Sequence, residues 1–123
     1  MKVLLVDHDA DLVAATACAL GRAGYTVVSV ADGATALARW RVDHPDLVLL
    51  DPDLPYVDGF EVCRRIRYES DTPVVVFSAH AEEAEVLRAF QVGADDYVTK
   101  PCSATVLAAR MQAVLRRYQP DGA

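Results

Sequence analysis

Five short apolar runs, Val3 to Val6, Thr26 to Val30, Leu47 to Leu50, Val74 to Phe77 and Ala94 to Val98, alternate with longer amphipathic stretches along this chain. Such an alternation is the signature of β-α units and leaves few folds open. Leu47-Val48-Leu49-Leu50 and Val74-Val75-Val76-Phe77 are apolar at every position rather than at every second one. Strands of that kind are covered on both faces, as in a parallel sheet with helices on either side. The expected class is therefore α/β, a doubly wound parallel sheet of five strands and five helices. Its crossovers are right-handed, and its ligand crevice lies outside the carboxyl ends of the strands.

The helical stretches carry their own boundaries. The first is expected to start at Asp9 or Asp11, to bear Leu12, Val13, Thr16, Ala19 and Leu20 at helical spacing, and to stop at Gly24. The second runs from a cap near Asp32 through Leu37 and Trp40 to just before Pro45. Phe60, Val62, Cys63 and Ile66 mark the third, Val86, Leu87 and Phe90 the fourth, and Val106, Leu107, Met111, Val114 and Leu115 the fifth. Trp40 and Phe90 are read as core or groove packing, and Arg64, Arg65 and Arg67 as a solvated helix face. One domain is expected over residues 1–118, followed by a tail or linker stub at 119–123, where periodicity is lost.

Composition narrows the function. Twelve basic against eighteen acidic residues give a net charge of −6, so direct nucleic-acid binding by this domain is not expected. No run of roughly 18 apolar residues is present to span a membrane, and an acid at Asp7 interrupts the first apolar run too early for a signal peptide. A cytoplasmic location follows as the expectation. Cys18, Cys63 and Cys102 are odd in number, far apart and without metal-ligand spacing, hence read as free thiols.

Chemistry gathers where the strands end: Asp7 and His8 after the first, Asp51 after the third, Ser78 after the fourth and Lys100 after the fifth. Two acids, a hydroxyl and a lysine at one sheet edge form a coherent set for phosphoryl transfer to a carboxylate. The carboxylate attacks in line, a divalent cation held by neighbouring acids offsets the phosphoryl charge, and the lysine and hydroxyl hold the remaining oxygens.

Val-Leu-Leu-Val-Asp (3 to 7), Pro-Asp-Leu-Val-Leu-Leu-Asp-Pro-Asp-Leu-Pro (45 to 55), Asp58-Gly59-Phe60, Pro-Val-Val-Val-Phe-Ser-Ala (73 to 79) and Gly-Ala-Asp-Asp-Tyr-Val-Thr-Lys-Pro (93 to 101) occur in that order. Together they make the chain resemble the response-regulator receiver domains of two-component signalling, over nearly its whole length. The resemblance implies a flavodoxin-like (βα)5 fold with strand order 2-1-3-4-5. It implies Asp51 as phosphoacceptor, Asp7 as a metal-site acid, Ser78 as switch hydroxyl, Tyr97 as switch aromatic and Lys100 as the partner of the acceptor or its phosphate. Pro101 matches a proline that follows a cis peptide bond. The implied cofactor is Mg2+ or Mn2+, and the implied donor is a histidine kinase or phosphotransfer protein. The domain is expected to switch itself rather than turn over an external substrate.

Two departures bear on the metal. The family has two consecutive acids at the end of the first strand, whereas here His8 follows Asp7, and a hard cation is held less well by imidazole than by carboxylate. The position that lends a backbone carbonyl to the metal is Asp53, preceded by Pro52. Its carboxylate is expected to restore part of the charge lost at His8. His80, two residues after Ser78, and Asp53 occupy positions that tune water access to an acyl phosphate in the family. The alternative reading, favoured by His8 and Pro52, is a pseudo-receiver that works through constitutive contacts without phosphate. Asp51-Pro52-Asp53 also resembles the nucleophile motif of haloacid-dehalogenase-type phosphatases, which place it on their first strand in a longer chain. Arg88, Asp95, Asp96, Arg110 and Arg117 resemble the charges by which receivers of winged-helix transcription regulators dimerise through the fourth helix, fifth strand and fifth helix.

Overall fold

The computed structural model describes residues 1–118; the expected tail at 119–123 lies outside them. Strands and helices alternate as β1 (Lys2–Val6), α1 (Ala10–Arg22), β2 (Thr26–Val30), α2 (Gly33–Asp43), β3 (Leu47–Leu50), α3 (Gly59–Glu69), β4 (Val74–Ser78), α4 (Glu83–Gln91), β5 (Asp96–Thr99) and α5 (Ala104–Arg116). The strands form one parallel sheet in the order β2-β1-β3-β4-β5, the doubly wound arrangement expected from the sequence.

Side chains alternate across the sheet and divide the core into two layers. Leu4, Val6, Val48, Leu50, Val74 and Val76 pack with Phe60, Val62 and Ile66 of α3 on one face. Val3, Leu5, Leu47, Leu49, Val75 and Phe77 pack with Leu107, Met111 and Val114 of α5 on the other. Every residue of β3 and β4 is buried, which accounts for their unbroken apolar runs. Trp40 joins the first layer and its indole N–H donates to Thr72 Oγ1 at 3.1 Å.

Polar residues set where the helices begin. The carboxylates of Asp9, Asp32 and Asp58 accept from the amides of Leu12, Thr35 and Phe60, and the Ser103 hydroxyl accepts from the amide of Val106. Each bond satisfies a first-turn N–H that has no partner inside its own helix. The caps therefore fix the short connections that leave the carboxyl ends of the strands.

Three expectations need correction. β5 starts at Asp96 rather than Ala94, because Gly93 adopts a φ of 104° and the amide of Ala94 folds back onto Ala89 O at 3.0 Å, closing α4. Phe90 is not core: α4 buries the small Ala89 against the sheet and leaves Leu87 and Phe90 about half exposed. Arg67 is not part of a solvated face. Its guanidinium donates to Gly93 O, Ser70 O and Asp95 Oδ2, joining the end of α3 to the α4-β5 connection. Arg64 and Arg65 do stay exposed, paired with Glu61.

Candidate functional site

Parallel register assembles the site. Val6 lies opposite Leu50, so the next residues, Asp7 and Asp51, leave the sheet side by side, with the Asp51 amide donating to Val6 O at 2.9 Å. Ser78 lies opposite Thr99, which places Lys100 directly beyond it, its amide donating to Ser78 O at 2.8 Å. The Lys100–Pro101 peptide is cis.

The Lys100 ammonium donates to Asp51 Oδ2 at 2.6 Å and to Asp7 Oδ2 at 2.7 Å. The other oxygens accept backbone N–H groups, Asp7 Oδ1 from Asp9 and Asp51 Oδ1 from Asp53 at 2.8 Å. Asp7 and Asp51 are only 3% and 6% exposed. Burial raises the Asp51 pKa above the ordinary carboxylate value, and its bonds to Lys100 and the Asp53 amide offset this only in part. Burial by itself would lower the Lys100 pKa, but the bonds to Asp51 and Asp7 outweigh it and raise the value. Two acidic side chains thus face one lysine.

That donor set suits a hard divalent cation. Two buried carboxylates converge on the Lys100 ammonium, and the backbone carbonyl of Asp53 belongs to the loop that follows Asp51. No group of three or more His, Cys, Asp or Glu side chains among the described residues forms a metal cage. The His8 side chain is exposed, beside Ala10, Val13 and Val30 on the α1-β2 side. The Asp53 carboxylate bonds His80 Nε2 at 2.7 Å, which raises the His80 pKa.

Ser78 is fully buried and its Oγ accepts from the His80 amide at 3.1 Å. Tyr97, half-buried on β5, donates its hydroxyl proton to His80 O at 2.6 Å. His80 is therefore tied to Ser78, Tyr97 and Asp53 at once. Spacing in the sequence places those residues near one another but does not reveal this hub.

Gly59, within the Asp58-Gly59-Phe60 string, is a structural determinant. A Cβ there would lie 2.5 Å from Pro52 Cα and 2.8 Å from Asp51 O, so α3 begins directly against the backbone of the acceptor loop.

The five charges expected at a dimer interface have partners within the chain. Arg88 donates to Asp58 Oδ2 at 2.7 Å and lies over the Phe60 ring, while Arg110 reaches Asp96 at 3.4 Å. Asp95 accepts from Arg67, from the Val74 amide and from the Tyr118 hydroxyl, and Arg117 donates to Asp95 O.

Comparison with known proteins agrees with this geometry. The sequence profile described as response regulator receiver domain matches residues 3–112. The transcriptional regulatory protein CseB of Streptomyces coelicolor is 48% identical over 120 residues, which cover 98% of this chain and 51% of CseB. The probable transcriptional regulator ycf27 of Porphyridium aerugineum is 40% identical over 116 residues, covering 94% of this chain and 48% of that protein. The chain thus spans about half the length of the curated relatives it matches. Among solved structures, the BeF3-activated N-terminal receiver domain of Klebsiella pneumoniae RstA superposes with a TM-score of 0.91 at 32% identity, covering 94% of this chain and 99% of that one. A two-component response regulator from Clostridium difficile gives 0.92 at 28% identity, covering 98% and 99%. With this fold, the strand-end cluster and matches over nearly its whole length, the chain belongs to the response regulator receiver domain family.

Proposed function

We propose that this domain is a phosphorylation-operated switch in which Asp51 accepts a phosphoryl group from a histidine kinase or phosphotransfer protein. The observation that carries the reading is the contact of Lys100 Nζ with both Asp51 and Asp7, which leaves a buried, electron-rich carboxylate beside a fixed cation. An Asp51 oxygen attacks the donor phosphorus in line, the P–N bond to the donor histidine breaks, and Lys100 follows the charge onto the new phosphoryl oxygens. Asp7, Asp51 and the Asp53 carbonyl would hold Mg2+ or Mn2+, which neutralises phosphoryl charge when bound. Exposed His8 contributes less to such binding than a carboxylate would.

Ser78 and Tyr97 carry the signal outward. In the geometry described, Ser78 Oγ is engaged by the His80 amide and Tyr97 by the His80 carbonyl. Movement of Ser78 Oγ to donate to a phosphoryl oxygen draws it away from the His80 amide and loosens the Tyr97 bond to the His80 carbonyl, so Tyr97 turns inward. The face it leaves bears exposed Leu87, Phe90 and Val106. Exchange of the Arg88, Asp95, Asp96, Arg110 and Arg117 pairings between two copies would form a homodimer there. No helix among the described residues is long and apolar enough to cross a membrane, which fits a cytoplasmic regulator. DNA contacts would belong to the portion of a full-length regulator outside this chain, since the domain is acidic.

The exposed His8 supports one alternative, a pseudo-receiver that acts without phosphate. Incubation with acetyl phosphate and Mg2+ or Mn2+, followed by intact-mass measurement, separates the two. A phosphoryl increment present in the native chain and absent in Asp51→Ala is expected; no increment with either metal establishes the pseudo-receiver.

A further inference from the structure

Within the loop that carries the acceptor, Tyr56 is 99% exposed and has a φ of 69°. Its neighbours close a tight turn around it, because the Val57 amide donates to Pro55 O at 2.8 Å. A three-residue turn whose central residue has positive φ is rare and strained, and a bulky residue there is unfavourable where glycine is at ease. No side-chain hydrogen bond of Tyr56 among the described residues offsets that cost.

The surroundings explain how the strain is held. Leu54 and Val57, on either side, pack against the buried layer beneath, and a Cβ on Gly33 would lie 2.8 Å from Val57 Cβ. Gly59 pins the far end of the loop against Pro52 and Asp51. With both flanks seated, the residue between them can point only outward. A fully exposed aromatic ring at a strained backbone position is poor for stability of the isolated chain and well suited to a partner, since tyrosine is enriched among residues that dominate binding energy.

We propose that Tyr56 is a docking anchor for the protein that donates the phosphoryl group to Asp51. The inference rests on the phosphoacceptor reading and identifies a contact of that same site. Delivery in line to Asp51 brings the donor's phosphohistidine over the carboxyl end of β3, and the loop from Pro52 to Asp58 rims that opening. The ring supplies apolar contact area on a backbone turn that is already set, so binding need not order the loop that carries it. A small donor such as acetyl phosphate gains nothing from it.

The test compares the native chain with Tyr56→Gly and Tyr56→Phe. Each is phosphorylated by acetyl phosphate, and by whichever autophosphorylated histidine-kinase fragment of a panel transfers fastest to the native chain. Tyr56→Gly is expected to melt a few degrees higher, because glycine accepts the turn without strain. Its acetyl phosphate rate stays within about twofold while kcat/KM for kinase transfer falls about tenfold, as truncation of an interface anchor does. Tyr56→Phe keeps transfer, since the ring and not the hydroxyl makes the contact. Native rates of transfer to Tyr56→Gly overturn the proposal, and so does a parallel loss with acetyl phosphate, which would place Tyr56 in the chemistry of the loop instead. A lower melting temperature for Tyr56→Gly overturns the strain argument. Failure of the native chain to accept phosphate from any donor refutes the phosphoacceptor reading itself, a result that the other outcomes cannot mimic.

Discussion

Lys100 Nζ lies 2.6 Å from Asp51 Oδ2, yet the carboxyl keeps a raised pKa because burial outweighs the ion pair. Folding therefore works against the ionised form of Asp51. For an acid whose folded pKa exceeds its unfolded value, 3.8 here, the folded chain binds the proton more tightly, and stability falls as pH rises from 3.8 through the folded value. Asp51→Asn removes that loss. In chelator-containing buffer at pH 7 it is expected to be more stable by about 1 kcal/mol, an ordinary size for one substitution. The gain should vanish below the unfolded pKa, where both side chains are neutral. Urea unfolding of the two chains across pH 3–7 checks this, and a gain independent of pH would contradict it.

Gly59→Ala places a methyl group against Pro52 Cα and Asp51 O, both backbone atoms that cannot rotate away. Either α3 or the acceptor loop must shift. A cost of about 2 kcal/mol is expected, within the range for overpacking, together with slower modification by acetyl phosphate as Asp51 moves relative to Lys100. Unfolding curves and intact-mass time courses measure the two effects independently.

Much of this was legible in the sequence. The continuous apolar runs of β3 and β4 gave the parallel sheet, and strand ends located Asp7, Asp51, Ser78 and Lys100, because parallel register forces such residues together. Contacts that depend on side-chain reach were not legible. Arg67 sits in a run with Arg64 and Arg65 and looks equally solvated, but the turn at Gly93 brings that residue's carbonyl to it. The bond between the Asp53 carboxylate and His80 Nε2 is of the same kind, since 27 residues separate the two partners. The strained turn at Tyr56 left no signal either, since the glycine or asparagine that would announce positive φ is absent.

Thiol reactivity should separate the cysteines. Cys63 is buried in the α3 layer, and desolvation pushes its pKa up to about 11, whereas Cys18 is exposed. Since the thiolate is the reactive species, Cys63 should resist iodoacetamide at pH 8 in the folded chain. Cys18 should be alkylated readily, and Cys63 only when urea unfolds the domain. Peptide mass mapping before and after denaturation reads this directly, and prompt alkylation of Cys63 in the native chain would show that the α3 layer opens locally.

Arg67 and Arg64 share a helix, a charge and a carboxylate partner each, yet their removal should differ. Arg64 pairs with Glu61 one turn away and both are open to water, so Arg64→Ala should leave the unfolding midpoint within measurement error. Arg67 has a side chain only 25% exposed and bonds Gly93 O, Ser70 O and Asp95 Oδ2 across two connections. Arg67→Ala leaves the Gly93 carbonyl without its donor and Asp95 without its cation, an expected cost of about 2 kcal/mol. Arg67→Lys keeps the charge but cannot span carbonyl and carboxylate together, and should fall between the two. Because Asp95 also accepts from the Val74 amide at the start of β4, the loss should spread into the sheet edge. Hydrogen exchange of the Val74 and Asp96 amides should accelerate in Arg67→Ala and remain unchanged in Arg64→Ala; equal exchange in both variants would show that the clamp adds nothing to the β4-β5 pairing.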